Sequence, residues 1–177
     1  PTMESCIELH HAHHVKAGDI AAVRLRVAPL VLDLCNQQNI TRGLQGKFSV
    51  YHGAAIGLVR GRAGLDEYTD AAVNDPAIKR VRECTTATGD ASLTEDQARV
   101  EVELSDGRRL TWSIEQSLGN VHRPLSDEQL SEKFRMCAAR ALPPDTANAV
   151  LDRCWRMAEL DDISTLVNAT VPVPQRA

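Results

Sequence analysis

The sequence predicts an α+β fold: an antiparallel sheet with helices packed on one face, followed by C-terminal helices. Three observations predict it. "ARVEVELSDGRRLTWSIE" alternates apolar and polar residues on both sides of Asp106-Gly107, and Asp-Gly favours the positive φ of a tight hairpin turn. "IAAVRLRV" also alternates, Val23, Leu25 and Val27 against Arg24 and Arg26, as a strand with one buried and one wet face does. The flanking segments have helical period and their own start signals. An order of helix, strand, helices, hairpin, helices describes one sheet layered with helices.

In chain order, Thr2 caps a first helix, "TMESCIELHHAHHV", with Glu4 in its opening turn. Met3, Ile7, His10, His11 and His14 share one face of it at helical spacing. "KAGD" breaks the helix and the alternating strand follows. "APLVLDLCNQQ" reads as a short helix opened by Pro29, and "NITRGLQG" as a polar loop. After Lys47 the chain is apolar nearly all round, through Ala54, Ala55, Ile56, Leu58 and Val59, so this helix is buried and ends near "RGRAG". "GLDEYTDAAVND" reads as one helix opened by Asp66 and Glu67. "DPAIKRVRE" is the next, with Asp75 as cap and Pro76 at the first helical position. "RVRECTTATG" reads as ending in a strand. Beyond the hairpin, "GNVHRPLSDEQLSEKF" breaks the chain and restarts it, Ser126 and Gln129 forming a capping box. Three helical segments close the chain. The division expected is an α+β domain over 1–122, C-terminal helices over 123–170, and a tail over 171–177, where "VPVPQRA" has two prolines and no periodicity.

The 177 residues are 43% hydrophobic and 25% charged, as in ordinary soluble globular chains long enough to bury a core. Aromatics are only 3%, so the core must be aliphatic. The formal net charge is −4 with both signs interspersed, which lacks the electrostatic footprint of nucleic-acid binding. No apolar run approaches the ~20 residues of a membrane span. Cys6, Cys35, Cys84, Cys137 and Cys154 are odd in number, scattered and without CxxC spacing. They read as reduced thiols in a cytoplasmic protein. The chain opens on Pro1 at a helix edge with no leader, and so reads as a piece of a longer protein.

Three constellations invite chemistry. In "HHAHH", His10 and His14 are four residues apart and Cys6 lies on the same face, a spacing that suits metal ligation. No third ligand is fixed, and histidines at a helix C-terminus have a plain electrostatic reason to be there. In "KFSVYHG", Lys47 and Tyr51 share a face if the helix includes both. An ammonium there can lower a phenol's pKa or grip a carboxylate. The alternative is a core tyrosine with a satisfied hydroxyl. His52 points about 100° away around such a helix. In "SLGNVHRPLS", His122 and Arg123 precede a helix start that could hold an anion, or simply turn and cap. Residue chemistry alone leaves an enzyme and a non-catalytic α+β interaction module both open.

Several segments, in order, resemble the MmgE/PrpD family. "KFSVYHGAAIGLVRGRAGLDEYTDAAVNDPAIKRVR" is similar to the family's run of a basic residue, serine, an aromatic, an alanine-rich helix and a short helix with a "L..F/Y.D" pattern. "VEVELSDGRRLTWSIE" resembles its "V.V.L.DG" unit, and "GNVHRPLSDEQLSEKFR" its "G.....PLS...L..KF" segment. The family includes 2-methylcitrate dehydratases, cis-aconitate decarboxylases and iminodisuccinate epimerases, all acting next to a carboxylate. The resemblance implies a large helical domain and a smaller α+β lid, this chain being the lid plus returning helices. It implies a small carboxylate substrate, no metal or organic cofactor, and a homodimer in the full-length form. It also implies catalytic residues upstream of Pro1, and a fragment inactive by itself. Tyr51 matches a tyrosine of the family's active-site cleft, and Lys47 a position that is basic in several members. Both His122 and Arg123 lie in the segment that often reads "GH" in the family; Asn120 stands here in place of that histidine.

Overall fold

A computed structural model describes residues 1–171. The tail assigned to 171–177 thus lies, apart from Val171, outside the described residues. The chain divides into two compact units, Pro1–Pro124 and Leu125 onwards.

In the first unit, helix α1 (Thr2–His13) leads to strand β1 (Ile20–Val27). Thr2 is the first helical residue and buried, with Pro1 in the cap position and no side-chain cap bond. Short helices α2 (Pro29–Cys35) and α3 (Gly43–Gly46) follow, then α4 (Val50–Arg60). The polar loop expected before Lys47 thus contains one helical turn, closed by Gln45 Oε1 accepting from the amides of Thr41 (2.9 Å) and Arg42 (3.0 Å). The single helix expected over "GLDEYTDAAVND" is split into a 3₁₀ turn, Leu65–Tyr68, and α5 (Asp70–Val73). The split falls at Thr69, whose backbone is extended (φ −88°, ψ 160°) and whose hydroxyl accepts from the Ala72 amide. A threonine that caps a new helix ends the one before it. Helix α6 (Pro76–Glu83) starts as the sequence predicts, the Asp75 carboxylate accepting from the Ala77 and Ile78 amides.

Strands β2 (Thr85–Gly89), β3 (Ala98–Leu104) and β4 (Arg109–Ile114) complete a four-stranded sheet in the order β2-β1-β3-β4. The α+β class holds and the hairpin forms as expected, Val100 opposite Trp112 and Val102 opposite Leu110. The sheet is mixed rather than wholly antiparallel, because β2 pairs parallel to β1, Val23 opposite Thr85. Helices α2 to α6 intervene between those two strands, room enough for the crossover that a parallel pair requires. One sheet face is buried under α1 and α4, with Val23, Leu25, Val27, Val100 and Val102 in the core. The other is wet, and Arg24 spans Glu101 and Glu103 there at 2.8 Å each.

Every residue of α4 from Val50 to Leu58 is buried, as its all-round apolar sequence predicts. It crosses α1 closely: a Cβ on Gly57 would lie 2.7 Å from Cys6 Cβ and 3.0 Å from the Met3 carbonyl oxygen. The second unit contains α7 (Asp127–Ala138), α8 (Pro144–Trp155) and α9 (Ser164–Ala169). The Ser126–Gln129 capping box is present, and Trp155 Nε1 donates to Ser131 Oγ at 3.0 Å between α8 and α7. All five cysteines are free. Burial pushes the Cys6 thiol up, which leaves it an inert core residue. Among the described residues no helix is long and apolar enough to cross a membrane.

Candidate functional site

The site is built on the N-terminus of α4. Ser49 caps that helix, its hydroxyl accepting from the His52 amide at 3.1 Å. The cap fixes where the helix begins, so Lys47 lies outside it, in the turn that closes α3. The shared helical face expected for Lys47 and Tyr51 is therefore absent. A serine cap two residues beyond the lysine overrides the i, i+4 relation.

Tyr51 is buried, and its hydroxyl is doubly held. It donates to Asn36 Oδ1 at 2.7 Å and accepts from Gln38 Nε2 at 3.1 Å. It lines a cleft of about 420 Å³ together with Gln38, Thr41, Lys79, Arg82 and Thr85. Asn36 and Gln38 escaped the sequence reading, which placed "NQQ" at the end of a short helix. The helix stops at Cys35, and the polar run beyond it supplies both partners. Lys47 is exposed and lines a different cleft, of about 230 Å³, beside Thr2, Met3, Gly53 and Tyr68. Tyr68 Oη donates to Met3 Sδ at 3.0 Å on that side.

His52 is fully buried, with a ring nitrogen (Nε2) 2.8 Å from the Glu67 carbonyl oxygen. Only an N–H can donate there, so the ring is the Nε2–H tautomer, and Nδ1 has no partner. Burial pushes its pKa down, against the Glu67 carbonyl, and Arg82 and Arg60 push the same way. Its role is to hold the loop of Glu67 against α4. Because the folded pKa is depressed, the stability His52 contributes is present above its unfolded pKa of about 6.5. It is lost as pH falls below that value through the folded pKa. Thermal unfolding followed from pH 8 to 5 should show stability declining below about pH 6.5. His52→Gln should lack that decline while retaining a donor to the Glu67 carbonyl. Glu67 acts in a lower window. Burial pushes its carboxyl up, but the Gly64 amide and the Arg62 and Arg60 guanidinium groups outweigh this and hold it below its ordinary value.

Two histidines of α1 are clamps. His10 Nδ1 lies 2.8 Å from the Leu58 carbonyl oxygen and His11 Nε2 2.9 Å from that of Gly61, so each ring donates to the end of α4. His14 terminates α1 in the left-handed region (φ 50°), which breaks the His10–His14 pair. No group of three or more His, Cys, Asp or Glu among the described residues is disposed to hold a metal ion.

The loop after β4 docks on α1. Asn120 Oδ1 accepts from the amides of His122 and Arg123, both at 2.8 Å. Arg123 pairs with Glu4 and donates to the Gln116 carbonyl at 3.0 Å. His122 and Arg123 are exposed and line neither cleft. Asn120, which stands where the family often has histidine, organises this turn. Arg123→Ala is expected to cost less than about 1 kcal/mol in unfolding free energy, measured by urea titration, because the pair with Glu4 is solvent-exposed on the arginine side.

A family model described as the MmgE/PrpD C-terminal domain matches residues 1–157. The chain belongs to the MmgE/PrpD family. It is 28% identical over 174 residues to a 2-methylcitrate dehydratase of Cupriavidus necator, covering 90% of this chain and 36% of that protein. It is 25% identical over 179 residues to the cis-aconitate decarboxylase of Mus musculus, covering 89% of this chain and 37% of the relative. A shorter match, 34% over 67 residues, reaches the Homo sapiens cis-aconitate decarboxylase, across 38% of this chain and 14% of that one. Dehydratase and decarboxylase are both lyase names, so this MmgE/PrpD chain has lyase-type relatives. It spans roughly a third of the length of the two relatives it matches almost throughout.

Proposed function

We propose that the full-length protein carrying this chain is a lyase or isomerase acting α to a carboxylate of a small di- or tricarboxylate. Dehydration of a 2-methylcitrate-like substrate is favoured, on the match to a dehydratase across 90% of the chain. The observation that carries the reading is Tyr51: a buried tyrosine that lines a polar cleft and whose hydroxyl is held by two side chains. In such a reaction a base removes the α-proton, and cationic or hydrogen-bonding groups stabilise the aci-carboxylate that forms. Tyr51 is assigned to proton delivery or to hydrogen bonding of the substrate. Lys47, which lines the other cleft, is assigned to a substrate carboxylate. Arg123 already has Glu4 as its partner, and the reading gives it the docking of its loop rather than substrate.

The base belongs, on this reading, to the helical domain that the family places upstream. Leu130, Met136, Met157, Ile163 and Val167 expose apolar surface on the C-terminal helices, and this supports their packing on such a domain. The 177-residue chain by itself is then expected to turn over no carboxylate. The reading carries a cytoplasmic homodimer for the full-length form. The test is to incubate the full-length protein with 2-methylcitrate, cis-aconitate and related polycarboxylates in D₂O, following products and α-deuterium by NMR. Absence of both product and exchange with every substrate would sink the proposal.

A further inference from the structure

The cleft beside Tyr51 contains a buried cation that no ion pair among the described residues neutralises. Arg82 is 7% exposed. Its guanidinium donates to the Val73 carbonyl at 3.0 Å and to the Ile40 carbonyl at 3.5 Å, and forms no ion pair among the described residues. A guanidinium has five N–H donors, so two carbonyls leave donors unused. Neither carbonyl requires a charge, since a neutral amide could satisfy each. A buried charge without an ion-paired partner is costly, so a ligand that brings a counter-charge is favoured there. The neighbouring carboxylate, Glu83, also lines the cleft but lies 3.8 Å from Lys79 and pairs with it in the solvent-exposed rim. Gln38, Thr41 and Thr85 add polar groups to the lining.

We propose that Arg82 is the anchor of a carboxylate-binding site in this cleft, receiving one carboxylate of a small polycarboxylate, with Lys79 at the entrance. The planar fork of a guanidinium matches a carboxylate in a bidentate fashion. Inorganic phosphate, mostly a dianion near neutral pH, would bring its whole charge against the Glu83 carboxylate in the same lining, whereas a polycarboxylate can place one singly charged carboxylate there and keep its other charges towards the entrance. The space of about 420 Å³ accommodates a molecule of citrate size. Burial pushes the Arg82 pKa down, and the charge of Glu83 only partly opposes it. The site deepens the proposed function, because it rests on reading the Tyr51 cleft as the place where substrate binds.

The test uses the 177-residue chain with citrate as the probe and inorganic phosphate as the competing anion, read by amide chemical shifts. Citrate is expected to move amides of residues 38–41 and 82–85. Arg82→Gln, which keeps a donor for one carbonyl, should weaken citrate by about 30-fold or more, and Arg82→Lys should retain part of the affinity. Phosphate binding as tight as citrate, citrate shifts that survive Arg82→Gln, or shifts elsewhere on the surface would overturn the proposal. If Arg82→Gln does not fold, the map of shifts on the unaltered chain decides alone. Citrate binding at Arg82 in a full-length protein without turnover would defeat the proposed function and leave the site standing. Turnover with a KM indifferent to Arg82→Gln would do the reverse.

Discussion

Replacing Tyr51 by phenylalanine in the full-length protein is expected to lower kcat by ~10²-fold or more, with a much smaller change in KM. The hydroxyl is the only atom lost. Its partners, Asn36 and Gln38, are both exposed, so water can satisfy them once it is gone. The cost in stability is accordingly about 1 kcal/mol or less, and a large fall in kcat could not be blamed on unfolding. Asn36→Ala should act in the same direction with a smaller effect, since Asn36 positions the hydroxyl and does not meet substrate. Steady-state kinetics on both variants, beside thermal unfolding of each, separates the two roles. A kcat unchanged by Tyr51→Phe would remove the residue from the catalytic machinery and return it to the core.

The hairpin, β1 and the buried helix α4 were legible because each depends on local pattern. Alternation around Asp106-Gly107 needs no knowledge of the rest of the chain, nor does an apolar run bounded by Ser49 and Gly61. What was not legible depended on pairing across distance. The parallel partnership of β2 with β1 joins Thr85 to Val23, and nothing in "TTATG" states which strand it will meet. The site shows the same division. Tyr51 is singled out by its own segment, but Asn36, Gln38 and Arg82 come near it only through tertiary folding. The Lys47–Tyr51 face failed for a local reason that the sequence did hold: Ser49 is a good cap, and a cap between two residues places them in different elements. The histidines of "HHAHH" show how spacing misleads. His10 and His11 are used by the carbonyls of Leu58 and Gly61, partners about fifty residues away that no local motif announces.

The closeness of α1 and α4 makes Gly57 the position where a small change should do most to the fold. The α4 helix lies against α1 so tightly that a Cβ on Gly57 would meet Cys6 Cβ at 2.7 Å, the Met3 carbonyl oxygen at 3.0 Å and the Ile7 amide nitrogen at 3.3 Å. Two of these three are backbone atoms of a helix, which cannot rotate aside as a side chain can. The helices must separate, and separation pulls on the His10 and His11 bonds that tie the end of α1 to the end of α4. Gly57→Val is expected to cost about 3 kcal/mol, a fall in Tm of about 6–12 °C for a chain of this size. Gly57→Ala should cost less, because only the Cβ intrudes. Gly18, where a Cβ would find nothing within 4 Å, supplies the contrast: Gly18→Ala should change stability by no more than about 0.5 kcal/mol. Thermal unfolding by circular dichroism on the three variants checks the ordering. Equal Tm values for Gly57→Val and the unaltered chain would mean that α1 and α4 are not held at this distance. Tyr51 would then be less firmly held in its cleft, because the same helix that carries Gly57 in its C-terminal half carries Tyr51 in its first turn.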